Sequence, residues 1–217
     1  EAQDFTNHWA EKVKELLAPD GSLYVFWDKN QDIFDRQKGN DLTADSIWNI
    51  TTPKFILNTN LRNTKQIHNY IVSETEIGGD EIINMLDGIE VTGYEKMDAE
   101  SAREEIETII DWLINKEGIS SSRIIIISNR SVKFGKSVFH DNQEIAGFTV
   151  YEPKDTGDFV HSDNVIEYRT IQKIKGCERD VVINISHPET DTDKYKALRY
   201  TALSRAKFML YDFEITD

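Results

Sequence analysis

At 217 residues the chain is long enough to bury a core without covalent staples, and its net charge of −14 argues at first against a nucleic-acid partner. Its one cysteine, Cys177, excludes an internal disulfide and fits a reducing cytoplasm. No run approaches the roughly 18 apolar residues of a membrane span, and no charged segment followed by an apolar one opens the chain as a secretory signal would. The acidity is local. Residues 74–117 hold 14 acids and 3 bases, whereas the rest is nearly balanced at 25 acids and 22 bases. The acidic stretch reads as a solvated surface, which leaves room for a basic track elsewhere.

In chain order, residues 7–17 have the spacing of an amphipathic helix, with Trp9, Val13, Leu16 and Leu17 on one side and Pro19-Asp20-Gly21 ending it. Residues 22–27 and 55–57 are apolar runs that predict strands, and a helix is expected over 64–72. A strand over 89–94 is followed by a helix over 99–115, where Ile106, Ile109, Ile110 and Leu113 share one face. Four isoleucines at 124–127 predict a strand buried on both sides. Further strands are expected over 165–168, 181–185 and 208–211, with a helix over 194–205 before the last. Residues 141–163 read as hairpin or loop, and the polar stretch 39–53 as a seam between two units. Strands alternating with helices imply an α/β fold, a mostly parallel sheet with helices on both faces.

Chemistry concentrates in short runs. Asn60-Leu61-Arg62-Asn63-Thr64 precedes a helix, where an arginine can point a planar cation at a phosphate. Tyr168-Arg169-Thr170 is followed by Lys175-Gly176-Cys177-Glu178 directly before a strand, and Gly176 permits a turn that other residues resist. Tyr200-Thr201-Ala202-Leu203-Ser204-Arg205-Ala206 puts an arginine at a helix end before another strand. Earlier, Trp27-Asp28 leads to Gln31 and Phe34, and the chain begins Glu1-Ala2-Gln3-Asp4. Gly135-Lys136-Ser137 after the isoleucine strand mimics a phosphate-binding loop, but the glycine required five residues earlier is Arg130. The histidines and the cysteine show no metal-ligand spacing.

Taken together and in this order, these runs resemble motifs II to VI of superfamily 1 helicases, the motors related to UvrD, Rep and PcrA. The resemblance implies a RecA-like fold, with residues 1–50 as the tail of the first motor domain and 51–217 as the second. It implies ATP and Mg2+ as cofactors of the intact motor, and single-stranded DNA and a preceding RecA-like domain as partners. RNA is the alternative strand, and a non-catalytic interaction domain is the alternative class. Catalytic roles fall to Glu1 (polarising the attacking water), Gln31 (sensing the terminal phosphate), Arg62 (the γ-phosphate) and Arg205 (an arginine finger). Lys175, Gly176 and Glu178 are implied at the nucleotide, with Glu178 at its sugar. Phe34 and Thr170 are implied at the strand. Trp27 departs from the family's usual glycine. The aspartate that would precede Glu1 and hold the magnesium is absent, so the chain alone is expected neither to bind ATP tightly nor to hydrolyse it.

Overall fold

The computed structural model describes residues 2–31, 33–34, 48, 55–57, 59–79, 86–154 and 162–216. The chain divides into two units, Glu1–Asn58 and Thr59–Asp217.

In the second unit the isoleucine run becomes β2 (Ile124–Ser128), buried at every position. Successive side chains of a strand point to opposite faces, so a strand apolar throughout needs cover on both. The other strands are β1 (Thr92–Met97), β3 (Glu144–Ile145), β4 (Phe148–Tyr151), β5 (Val165–Thr170), β6 (Arg179–Ser186) and β7 (Ala206–Ile215). They form one seven-stranded sheet in the order β1-β7-β6-β2-β5-β4-β3. Every neighbouring pair is parallel except the β3–β4 hairpin. Its two turn residues, Ala146 and Gly147, have φ of 48° and 82°, the left-handed pair that matches strand twist in a two-residue hairpin loop.

The α-helices bounded among the described residues are α1 (Asn7–Glu15) in the first unit, then α2 (Lys65–Thr75), α3 (Ala99–Asp111), α4 (Ile171–Ile174) and α5 (Thr192–Leu203). One face of the sheet is covered by α3. Its Ala102, Ile106, Ile109 and Ile110 pack with Ile124, Ile126, Val181, Ile183 and Phe213. Each such aliphatic side chain contributes about 1.5–3 kcal/mol by leaving water. The alternate residues face α2 and α5. There Asp212 accepts from Arg199 at 2.6 Å and Tyr70 at 3.0 Å, and Asn184 donates to Asp212 at 2.7 Å. The α/β class with helices on both faces is therefore observed.

Helix starts follow local chemistry. Asp98 accepts from Ser101 N at 2.9 Å and Asp191 from Lys194 N at 3.1 Å, satisfying amides that the helix itself leaves open. At the start of α2, Lys65 N instead donates to Leu86 O at 3.0 Å. A Cβ on Gly88 would lie 2.4 Å from Thr64 Oγ1, so only glycine lets that segment lie against the helix.

Several expectations shift. The runs 22–27 and 55–57 pair with no strand among the described residues, and Phe55, Ile56 and Leu57 are highly exposed. Apolar sequence supplies a strand's side chains, but only a neighbouring backbone supplies its ladder. The first strand of the sheet starts at Thr92, three residues later than the apolar pattern suggested. After α3 the chain makes one π turn, Trp112–Lys116, before leaving the helix. The seam at 39–53 lies outside the described residues apart from Trp48.

The first unit has a small core of Ala2, Ala10 and Trp48, against which Phe5, Val13, Val25 and Trp27 pack. The bulky Trp27 thus serves as cover for that core.

Candidate functional site

Parallel strands place all their starts at one edge of the sheet. The edge where β6 and β7 begin gathers three separate sequence runs. Gly176 has φ of 83° and Cys177 N donates to Ile174 O at 2.9 Å, a tight turn that delivers Glu178 to the start of β6. There Glu178 Oε2 accepts from Arg62 Nε at 2.8 Å. Lys207, at the start of β7, lies 3.6 Å from Glu178 and 3.8 Å from Asp180, and Asp180 accepts from Arg123 at 2.5 Å. Charges of alternating sign therefore run along this edge. Arg62 and Glu178 side chains are 40% and 43% exposed, so their pair is worth less than about 1 kcal/mol and yields readily to a competing anion. Lys175, which precedes the glycine, is half-buried.

Two residues hold this edge together. Asn63 is buried, and its amide nitrogen donates to Ser204 O at 3.3 Å and Ala206 O at 2.6 Å. It fastens the run around Arg62 to the run around Arg205. No role was read for Asn63 from sequence; its place beside Arg62 before a helix is the one signal that could have singled it out. Arg205 is 1% exposed. Its guanidinium donates to Thr201 O at 2.9 Å, Cys177 O at 3.4 Å and Ser204 Oγ at 3.2 Å. The residue expected at a surface as a finger is inside the second unit, binding the turn that carries Glu178.

Thr170 lies at the opposite edge. It ends β5 level with Ser128 of β2 and is the N-cap of α4, half-buried, with no capping bond from its side chain. Thr170 and Glu178 are close in sequence, yet the sheet sets them at opposite ends of its strands. Near Thr170, Asn129 Nδ2 donates to His187 O at 2.8 Å while His187 N donates to Asn129 Oδ1 at 2.9 Å, a reciprocal clasp between the loops after β2 and β6. Tyr168 donates to Arg130 O at 2.6 Å, and burial pushes its phenol up to about 12, which keeps it a donor.

In the first unit Gln31 and Asp28 form a small network. Gln31 Nε2 donates to Asp28 Oδ2 at 2.8 Å, and Asp28 N donates to Gln3 Oε1 at 3.2 Å. Buried Gln3 thus links the opening run to the run bearing Gln31, a connection not read from sequence. Phe34 is half-buried beside fully covered Ile33. Glu1 lies outside the described residues.

No family model matches the chain. No curated protein matches it either. Among solved structures it is similar to the crystal structure of the C-terminal domain of a possible DNA helicase from Lactobacillus plantarum WCFS1. That likeness has a TM-score of 0.50 at 15% identity and covers 72% of this chain and 88% of the other. At such identity the likeness is one of fold: this chain shares the α/β architecture of that domain.

Proposed function

We propose that the chain is the C-terminal motor part of a superfamily 1, UvrD-like helicase or translocase that works on single-stranded DNA with ATP. The observation that carries this reading is the convergence of three sequence runs, in the order the resemblance requires, on one edge of the sheet. Arg62 meets Glu178, Asn63 holds Ser204 and Ala206, and Arg205 holds Cys177.

The exposed Arg62 and half-buried Lys207 beside Glu178 suit a nucleotide: cations for phosphate oxygens, a carboxylate for a sugar hydroxyl. In this reading Arg62 leaves its weak pair with Glu178 when a triphosphate arrives, and both residues then have a ligand partner. Arg205 positions the Glu178 turn; contact with a phosphate would require it to leave its hydrogen bonds to Thr201, Cys177 and Ser204. Bound Mg2+ would neutralise phosphate charge. Among the described residues no group of three or more His, Cys, Asp or Glu could hold a metal ion, so no described side chain is assigned to it. Thr170, at the other edge, contacts the strand backbone, which keeps fuel and track on opposite sides of one rigid sheet.

The test is strand-stimulated ATP hydrolysis by this chain joined to a RecA-like domain bearing a phosphate-binding loop. Stimulation by single-stranded DNA, with a loss of roughly a thousandfold in kcat for Arg62→Ala, is the expected outcome. Stimulation by RNA alone would reassign the track. Absence of hydrolysis in a folded protein would leave an interaction domain that keeps the fold.

A further inference from the structure

Residues 129–140, which follow β2, contain Arg130, Lys133 and Lys136 and no acid, an unusual run in a chain of net charge −14. The loop is held firmly. Val132, Val138 and Phe139 are buried, and successive turns join Phe134 N to Ser131 O at 3.0 Å, Ser137 N to Phe134 O at 2.7 Å and His140 N to Ser137 O at 3.0 Å. Glu152 fixes its root by accepting from Ser131 Oγ at 2.6 Å and Val132 N at 3.0 Å. Three apolar side chains of this loop thus find places in the core.

Phe134 does not. It remains 47% exposed on a loop that has little freedom to hide it. The Arg130 guanidinium stands 4.7 Å from its ring centroid, covering one face. Beside it, a Cβ added to Gly135 would meet nothing within 4 Å, so the next residue of the loop also borders open space. Lys133 and Lys136 are exposed on either side. The loop's root, Ser128, is level with Thr170 across the β2–β5 ladder.

A rigidly displayed aromatic ring, backed by a guanidinium and flanked by lysines, has the chemistry of a stacking site for a nucleobase whose neighbouring phosphates need cations. We propose that this loop takes one base of a single-stranded polynucleotide on the open face of Phe134, with Lys133 and Lys136 at the adjoining phosphates. The proposal rests on the strand-binding reading above and adds to it a specific base platform. It also gives the run Gly135-Lys136-Ser137, which cannot wrap a triphosphate, a role toward a different phosphate.

The experiment is fluorescence anisotropy of labelled oligo-dT and oligo-rU with the 217-residue chain, wild type beside Phe134→Ala, Phe134→Tyr, Lys133→Ala, Lys136→Ala and Thr170→Ala. Phe134→Ala should weaken binding roughly 5- to 100-fold, while Phe134→Tyr retains it. Each lysine substitution should lower the slope of log affinity against log salt by about 0.7, whereas Phe134→Ala leaves that slope unchanged. The two oligomers distinguish DNA from RNA as the source of the base. If wild type binds, Thr170→Ala weakens it and Phe134→Ala does not, the platform is refuted and the strand-binding reading stands. If wild type binds neither oligomer, both fall. Equal melting temperatures of wild type and Phe134→Ala establish that the loop change has left the fold intact.

Discussion

Arg62 and Arg205 differ in their surroundings, and a substitution at each will read differently. Arg62 is a surface cation, so Arg62→Ala should leave the melting temperature unchanged within error. Arg205→Ala strips buried carbonyls of their donor and should lower stability by about 1–3 kcal/mol, seen as a lower denaturant midpoint with unchanged m. Equal loss of activity with unequal loss of stability would separate contact from positioning. Glu167 makes a harsher case. It is buried and accepts from both Arg169 and Arg179. Glu167→Ala would remove the buried carboxylate that both guanidinium groups share and should cost about 3–5 kcal/mol by the same measurement. Sequence placed Arg205 at a helix end correctly. Its burial was not legible, because the side of the helix end that meets the sheet is set by packing that no local pattern encodes. Asn63 escaped notice for the same reason: its partners are the carbonyls of Ser204 and Ala206, far along the chain.

Elements were most legible where one pattern fixed both shape and burial. The isoleucine strand and the helix bearing Ile106, Ile109 and Ile110 are found where their periodicity put them. The runs 22–27 and 55–57 had strand-forming side chains but no partner strand among the described residues, and they form no strand, although Ala2 N donates to Phe26 O at 2.9 Å. The strand expected over 208–211 is the middle of a longer one, Ala206–Ile215, whose Asp212 and Glu214 hid it from an apolar count. Caps belong to this scale. The backbone amide of Ser101 donates to Asp98 and, with that residue's hydroxyl, holds its carboxyl below its ordinary value of 3.8. The folded state therefore binds this proton more weakly than the unfolded chain. The stabilisation from the cap is complete above pH 3.8 and is lost as pH falls through the lower folded value. Thermal melts from pH 6 down to about pH 2 should show a shallower acid-side decline for Asp98→Asn than for wild type.

For the molecule as a whole, the parallel sheet sorts chemistry by strand end: Arg62, Glu178 and Lys207 at one, Thr170 and the loop after β2 at the other. The same sheet has a consequence in time. β7, the last strand in chain order, sits between β1 and β6, with Tyr211 beside Thr92 and Ile183. During synthesis β1 therefore waits, ladderless, until the residues between it and β7 have been made, and the slow closure of that long loop cannot precede β7. A chain halted after Leu203 should show helical signal without a cooperative melt, because the strand that joins early and late segments is missing. The nascent second unit would then be most exposed to proteases and chaperones just before β7 arrives.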